Sequence, residues 1–273
     1  MASLPQAPEL PEGVVPPAAR QPRWPWWLPI LALLGTFAIA TFALLIGVAV
    51  TGKTKPTSGV TIAATYVQDA GLVVCAILFA FMTRRPSAWQ FGLRPTRLWP
   101  AVGWLCVSWL AFFTFSAIWS VFMNAVGVKL NDDLPEQLGV GNSNVALVFV
   151  AVLVCVIAPM AEEFFFRGFL FGALRGYLKL WPAALITGLV FGLIHFKLEF
   201  LAPLAVLGVA LCLLYAQTGS LLPCIALHSL NNSLAFGVTQ GWTWQIPLLM
   251  VVSLAILTLI LTPIVRRAAL AVP

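Results

Sequence analysis

Ala161-Glu162-Glu163-Phe164-Phe165-Phe166-Arg167 sits inside an apolar run that extends from Val145 to Leu174. That run is long enough to cross a bilayer and too apolar for a helix in water. Two carboxylates and a guanidinium are costly there. Ionisable groups at membrane depth face a protein interior or a hydrated cavity, and by default they mark function.

The rest of the chain fits that setting. It is 61% hydrophobic and 9% charged, with 11 Trp, 20 Gly and 20 Pro. This balance predicts an all-α, polytopic membrane protein and excludes a soluble domain. The net charge of +6 is no nucleic-acid signal, because the basic residues lie at the ends of apolar segments. The cysteines, Cys75, Cys106, Cys155, Cys212 and Cys224, have no metal-ligand spacing and read as small packing residues.

Eight apolar segments follow one another, near 28–50, 60–82, 99–126, 145–174, 183–196, 200–216, 223–238 and 244–265. The fifth to seventh are short for a full crossing, which predicts tilt or a locally thin bilayer. Residues 1–23 read as a disordered, Pro-rich tail. Trp24, Trp26 and Trp27 then look like an interfacial belt. We expect segments 1–3 and their loops in 24–144, a core of segments 4–7 carrying the charged motif in 145–238, and a last helix with a basic end in 239–273. Asp132, Asp133 and Glu136 make the loop before the fourth segment acidic.

Orientation follows from the basic residues. An inside set of Arg20, Arg23, Arg84, Arg85, Arg94, Arg97, Arg175, Lys179, Arg266 and Arg267 stands against Lys53, Lys55, Lys129 and Lys197 outside. That asymmetry predicts both termini in the cytoplasm. Short loops and the lack of organelle signals point to a bacterial plasma membrane.

The chain has two histidines, His195 and His228. Both lie in apolar segments after the acidic pair. The fourth and fifth segments turn near residues 177–182, and Glu162 and His195 are almost equidistant from that turn. With a rise of about 1.5 Å per residue, each sits roughly 20 to 25 Å from it, so the two share a depth. Glu163 and Arg167 are spaced for a helical ion pair with the acid first. Glu162 points about 100° away and is left free to act as a base or acid. Phe191 and His195 share one face of the fifth segment. His228 and Asn232 share one face of the seventh and present two donors, as an oxyanion requires.

Glu-Glu-x-x-x-Arg, Phe-x-x-x-His and His-x-x-x-Asn on successive membrane helices resemble the CAAX prenyl protease and bacteriocin-processing family of intramembrane glutamic endopeptidases, also called CPBP or Abi. The resemblance covers about residues 145–238 and implies a bundle of around eight transmembrane helices. It implies peptide-bond hydrolysis, with Glu162 and His195 activating a water. His228 and Asn232 would hold the oxyanion, and Glu163, Arg167 and Phe191 would support them. The implied partners are a peptide or membrane-protein substrate and the lipid bilayer, with no cofactor and no nucleic acid.

Other readings of the same residues stay open. Glu162, His195 and His228 could ligate a divalent metal such as zinc in a metal-dependent protease. The Glu/His cluster could instead relay protons in a transporter or serve a membrane scaffold. Asn232 could simply bond a neighbouring helix, as Asn231, Ser229 and Ser233 are expected to do. The Phe164–Phe166 run is expected to face lipid. Asp69 is isolated in the second segment.

Overall fold

The computed structural model describes residues 24–83, 85–128, 130 and 138–270. The tail 1–23 with Arg20 and Arg23, the basic residues Arg84 and Lys129, and the acidic Asp132, Asp133 and Glu136 lie outside the described residues.

The described chain is all helical. Its eight helices are α1 (Leu28–Thr51), α2 (Ser58–Phe81), α3 (Leu98–Ala125), α4 (Asn144–Arg175), α5 (Leu180–Leu193), α6 (Leu201–Thr218), α7 (Leu221–Thr239) and α8 (Gln245–Leu270). All except α5 are long and apolar enough to cross a membrane, so this is an integral membrane protein. Helix α6 is 18 residues long and α7 is 19, so neither is short. Polar side chains explain the difference: Gln217 and Thr218 continue α6, and the Ser220 hydroxyl caps α7 by accepting from Leu222 N–H. Between them Gly219, at φ +63°, lets its N–H close on the Tyr215 carbonyl at 2.8 Å.

Helix α4 runs through the centre. It packs against α1, α2, α5, α6, α7 and α8, while α5 pairs with α6 and α3 lies on α6. The α5–α6 contact is backbone to backbone. A Cβ on Gly188 would fall 2.5 Å from Ala205 O, and one on Gly208 would fall 2.6 Å from Gly188 Cα. In lipid, such small-residue contacts supply the close packing that the hydrophobic effect cannot.

Two expectations about aromatic residues are corrected. Phe164, Phe165 and Phe166 are buried in the protein, not turned to lipid, and Trp24 is buried too, while Trp26 and Trp27 are exposed. Phe166 packs edge-on against Phe191 of α5, Phe165 packs against Phe166 and Phe169, and the connection between α2 and α3 folds back over α4 to cover the rest. Its Phe91 stacks on Phe164 at 4.4 Å and on Trp24 at 4.8 Å. The same loop docks on the α6–α7 turn. Arg94 Nε donates to Gly219 O, Ser220 Oγ donates to Arg94 O at 2.6 Å, and Leu221 N–H donates to Gly92 O at 2.8 Å.

Candidate active site

Helix α4 is not regular around the acidic pair. Leu153–Ile157 and Phe164–Phe171 are π-helical, and the α-helical turn Ala158–Glu163 lies between them. Short π stretches occur often at functional sites. Pro159 explains how the first is completed. Ala158 N–H reaches back five residues to Leu153 O. In that register Pro159 would serve Val154 O, and in an α register Cys155 O, but it has no N–H. Side chains of α7 take its place: Asn232 Nδ2 donates to Val154 O at 3.0 Å and Ser229 Oγ to Cys155 O at 2.6 Å. The backbone carrying Glu162 is thereby fastened to the helix carrying His228.

The ion pair forms as its spacing predicts. Arg167 Nη1 donates to Glu163 Oε1 at 2.7 Å, and both side chains are fully buried. Arg167 Nη2 also donates to Gly208 O at 3.1 Å, a carbonyl exposed to it by the tight α5–α6 contact. The guanidinium lies 4.7 Å from the Phe191 ring centroid and 5.9 Å from that of Phe166, where a cation meets the negative ring faces.

Glu163 has a second partner that the spacing did not reveal. His228 Nδ1 donates to the same Oε1 at 2.8 Å. A carboxylate already paired with Arg167 accepts, so Nδ1 carries the hydrogen and Nε2 is turned the other way. There it faces Glu162 Oε2 at 3.9 Å. That gap is too long for a hydrogen bond and fits a bridging water. Glu162 Oε2 is buried and has no direct hydrogen-bond partner.

His195 stands just past the end of α5, in the turn that follows Leu193. Its Nδ1 donates to Phe191 O at 2.7 Å. A carbonyl can only accept, so Nε2 of the neutral ring is a lone pair. Phe196 follows at φ +54°, a left-handed conformation that turns the chain away behind the imidazole. The turn is pinned from α3, where Trp119 Nε1 donates to Glu199 O at 2.9 Å. Phe191 touches both imidazoles edge-on, with centroids 5.0 Å from His195 and 5.7 Å from His228.

Glu163, Arg167, Phe191 and His228 therefore form one contiguous buried network, which the partly buried Glu162 faces across the 3.9 Å gap. His195 joins it through Phe191. Asn232 lies one turn beyond His228 and commits one amide hydrogen to Val154 O, leaving the other. Among the described residues no group of three His, Cys, Asp or Glu side chains is arranged to hold a metal ion. Beside the network lies an apolar cavity of about 320 Å³ between α2, α4, α7 and α8. Met160, Phe164 and Ile225 line its inner wall and Phe91 its rim.

Sequence reasoning missed Pro159 and Gly208 as parts of this site, while Ser229 makes the bond to a neighbouring helix expected of it. A proline three residues before an acidic pair is a legible signal for freed carbonyls. A glycine that offers its carbonyl to a buried arginine is not.

Comparison with known proteins finds similarity over the stretch that carries these residues. Residues 144–234 match the family model described as "Type II CAAX prenyl endopeptidase Rce1-like". A segment of 88 residues is 30% identical to "Putative membrane peptidase YdiL" of Bacillus subtilis (strain 168), covering 32% of this chain and 36% of that protein. The matched part thus spans about a third of the curated relative's length. No solved structure matches the chain. The stretch that sets Glu162, Glu163 and Arg167 on α4, Phe191 and His195 at α5, and His228 and Asn232 on α7 is thus the part of this chain that is similar to the Rce1-like type II CAAX prenyl endopeptidases.

Proposed function

We propose that the protein is an intramembrane endopeptidase of the glutamic type, acting on a peptide or membrane-protein substrate. One observation carries the reading: a buried Glu162 carboxylate oxygen, without a direct partner, faces His228 Nε2 across a gap of water size. Glu162 takes a proton from a water there, with the His195 Nε2 lone pair as a second acceptor. The water oxygen bonds to the scissile carbonyl carbon, and the carbonyl oxygen becomes the oxyanion. His228, as imidazolium, and the second amide hydrogen of Asn232 donate to it. Glu163 accepts from His228 Nδ1 and holds the ring's orientation, and Arg167 holds Glu163 in turn. The C–N bond then breaks, and the proton held by Glu162 passes to the leaving nitrogen.

The apolar cavity supports a substrate with an apolar segment beside the scissile bond. A C-terminal CAAX peptide, prenylated or plain, is the class that the family description suggests. The test uses the full chain in lipid nanodiscs with fluorogenic CAAX peptides in farnesylated and plain forms. Cleavage by the wild type should fall about 10²- to 10⁴-fold in Glu162→Gln, the range for a lost acid–base group. It should persist in a chelator. Full cleavage by Glu162→Gln overturns the reading, and loss of cleavage in the chelator transfers it to the metal-dependent alternative.

A further inference from the structure

Helix α5 stops inside the membrane. It starts at a surface, marked by Arg175, Lys179 and the exposed Tyr177 and Trp181. Its 14 residues rise about 21 Å, against about 30 Å of hydrocarbon. Neighbouring helices fix where it stops. Phe196, in the turn after it, meets Phe37 with ring centroids 5.9 Å apart, and Phe37 lies in the middle third of the 24-residue α1. Trp119, whose indole holds the Glu199 carbonyl, lies about 9 Å short of the end of α3. The turn from His195 to Phe200 is thus sunk below the far ends of both helices.

Its side chains are sorted in the opposite sense to those of a loop in water. Phe196 and Leu198 are 80% and 81% exposed, whereas the charged Lys197 and Glu199 are half-buried. Lys197 reaches over the Phe200 ring, 5.9 Å from its centroid. Trp181, Leu185, Leu189 and Leu193 form one exposed apolar stripe along α5, and Phe196 extends it at helical spacing. That stripe is the face α5 gives to lipid. Irregular backbone at this depth is tolerated only where it is buried in protein or lines water. Ionisable side chains there face a hydrated space. The interior has such a space. Glu162, on the central helix, keeps 15% exposure, and His195 and Asn232 are half-buried rather than closed off.

We propose that the His195–Phe200 turn is re-entrant. Its outer side, Phe196 and Leu198, contacts lipid acyl chains. Its inner side, Lys197 and Glu199, lines a water-filled vestibule that ends at His195 and Glu162. The vestibule opens to the membrane face opposite the start of α5 and delivers the water that Glu162 activates. That delivery rests on the proposed protease reading, whereas the placement of the turn does not.

The experiment begins with the unsubstituted full chain in lipid nanodiscs. Hydroxyl radicals made from water, read by mass spectrometry, oxidise the side chains that water reaches. His195 should be oxidised, and Phe196 and Leu198 should be spared despite their exposure. Oxidation of Phe196 and Leu198 would put the turn in bulk water, and an intact His195 would remove the vestibule; either overturns the proposal. Spin labels then resolve single positions, on Phe196→Cys, Lys197→Cys, Leu198→Cys and Glu199→Cys in a Cys106→Ser background, since the other native cysteines are buried. Collision with oxygen, which dissolves in lipid, should exceed collision with a water-soluble nickel chelate at 196 and 198. The order should reverse at 197 and 199. One order at all four positions overturns the proposal. In the cleavage assay, Glu199→Leu should lose kcat at unchanged KM, and Glu199→Gln should recover it. Equal kcat in the two variants would deny the vestibule its role in supplying water. The expected labelling pattern without any proteolysis would keep the turn and remove the protease reading.

Discussion

Helices α1 and α3 differ from α6 and α7 most of all in what surrounds them. Only 6% of the apolar window of α1 and 11% of that of α3 is buried within the protein, against 39% for the helix that includes α6 and 56% for α7. The first pair spends its hydrophobic surface on lipid. The second pair encloses Arg167, Glu163 and His228 and closes with glycine contacts and hydroxyls. Helix α2 sides with the core, with 33% buried, the same share as α4. A lipid-facing helix needs only length and apolarity, so its sequence is loosely specified. A helix that walls a buried ion network must also match it atom by atom.

Substitutions can break or sharpen that contrast. The largest structural effect is expected at Arg167→Met. It removes the guanidinium from a fully buried pair and leaves Glu163 with His228 as its one remaining partner, at a cost of about 3–5 kcal/mol. Unfolding of the purified protein, followed by denaturant titration in detergent, measures it. Gly188→Ala is next. Its Cβ meets Ala205 O at 2.5 Å, so α5 and α6 must separate, at about 1–3 kcal/mol for overpacking. Separation also withdraws Gly208 O from Arg167, so the Phe191–His195 end of the site should loosen with it.

Ser229→Ala leaves Cys155 O without its donor and should cost about 1–2 kcal/mol. The smallest effect is expected at Gly103→Ala in α3. Nothing lies within 4 Å of its Cβ position, and relief of the helical glycine penalty should stabilise by about 0.5–1 kcal/mol. The two glycine-to-alanine changes therefore carry opposite signs. If they shifted stability equally, the difference between lipid-facing and core helices would have no energetic content.

Much of this was legible beforehand. The spans were placed within a few residues, because a bilayer imposes length and apolarity on each segment separately. The Glu163–Arg167 pair and the Phe191–His195 contact were legible for a similar reason, since a four-residue spacing holds on any helix. The Phe164–Phe166 run was misread because lipid and protein interior are equally apolar. The loop carrying Phe91, arriving from between α2 and α3, and the Phe191 ring of α5 distinguish them. The bond between His228 and Glu163 was also out of reach. Helices α4 and α7 are 65 residues apart at that contact, and no local period links them.

The sequence by itself determined a many-helix membrane protein with a charged motif at membrane depth and two histidines to serve it. Hydropathy and helical spacing are properties of single segments, and they survive any arrangement of the bundle. Tertiary structure alone decided that Glu163 is shared between Arg167 and His228 and that Asn232 donates a hydrogen to the carbonyl freed by Pro159. These depend on which helix faces meet, and packing and hydrogen bonding between distant segments select those faces.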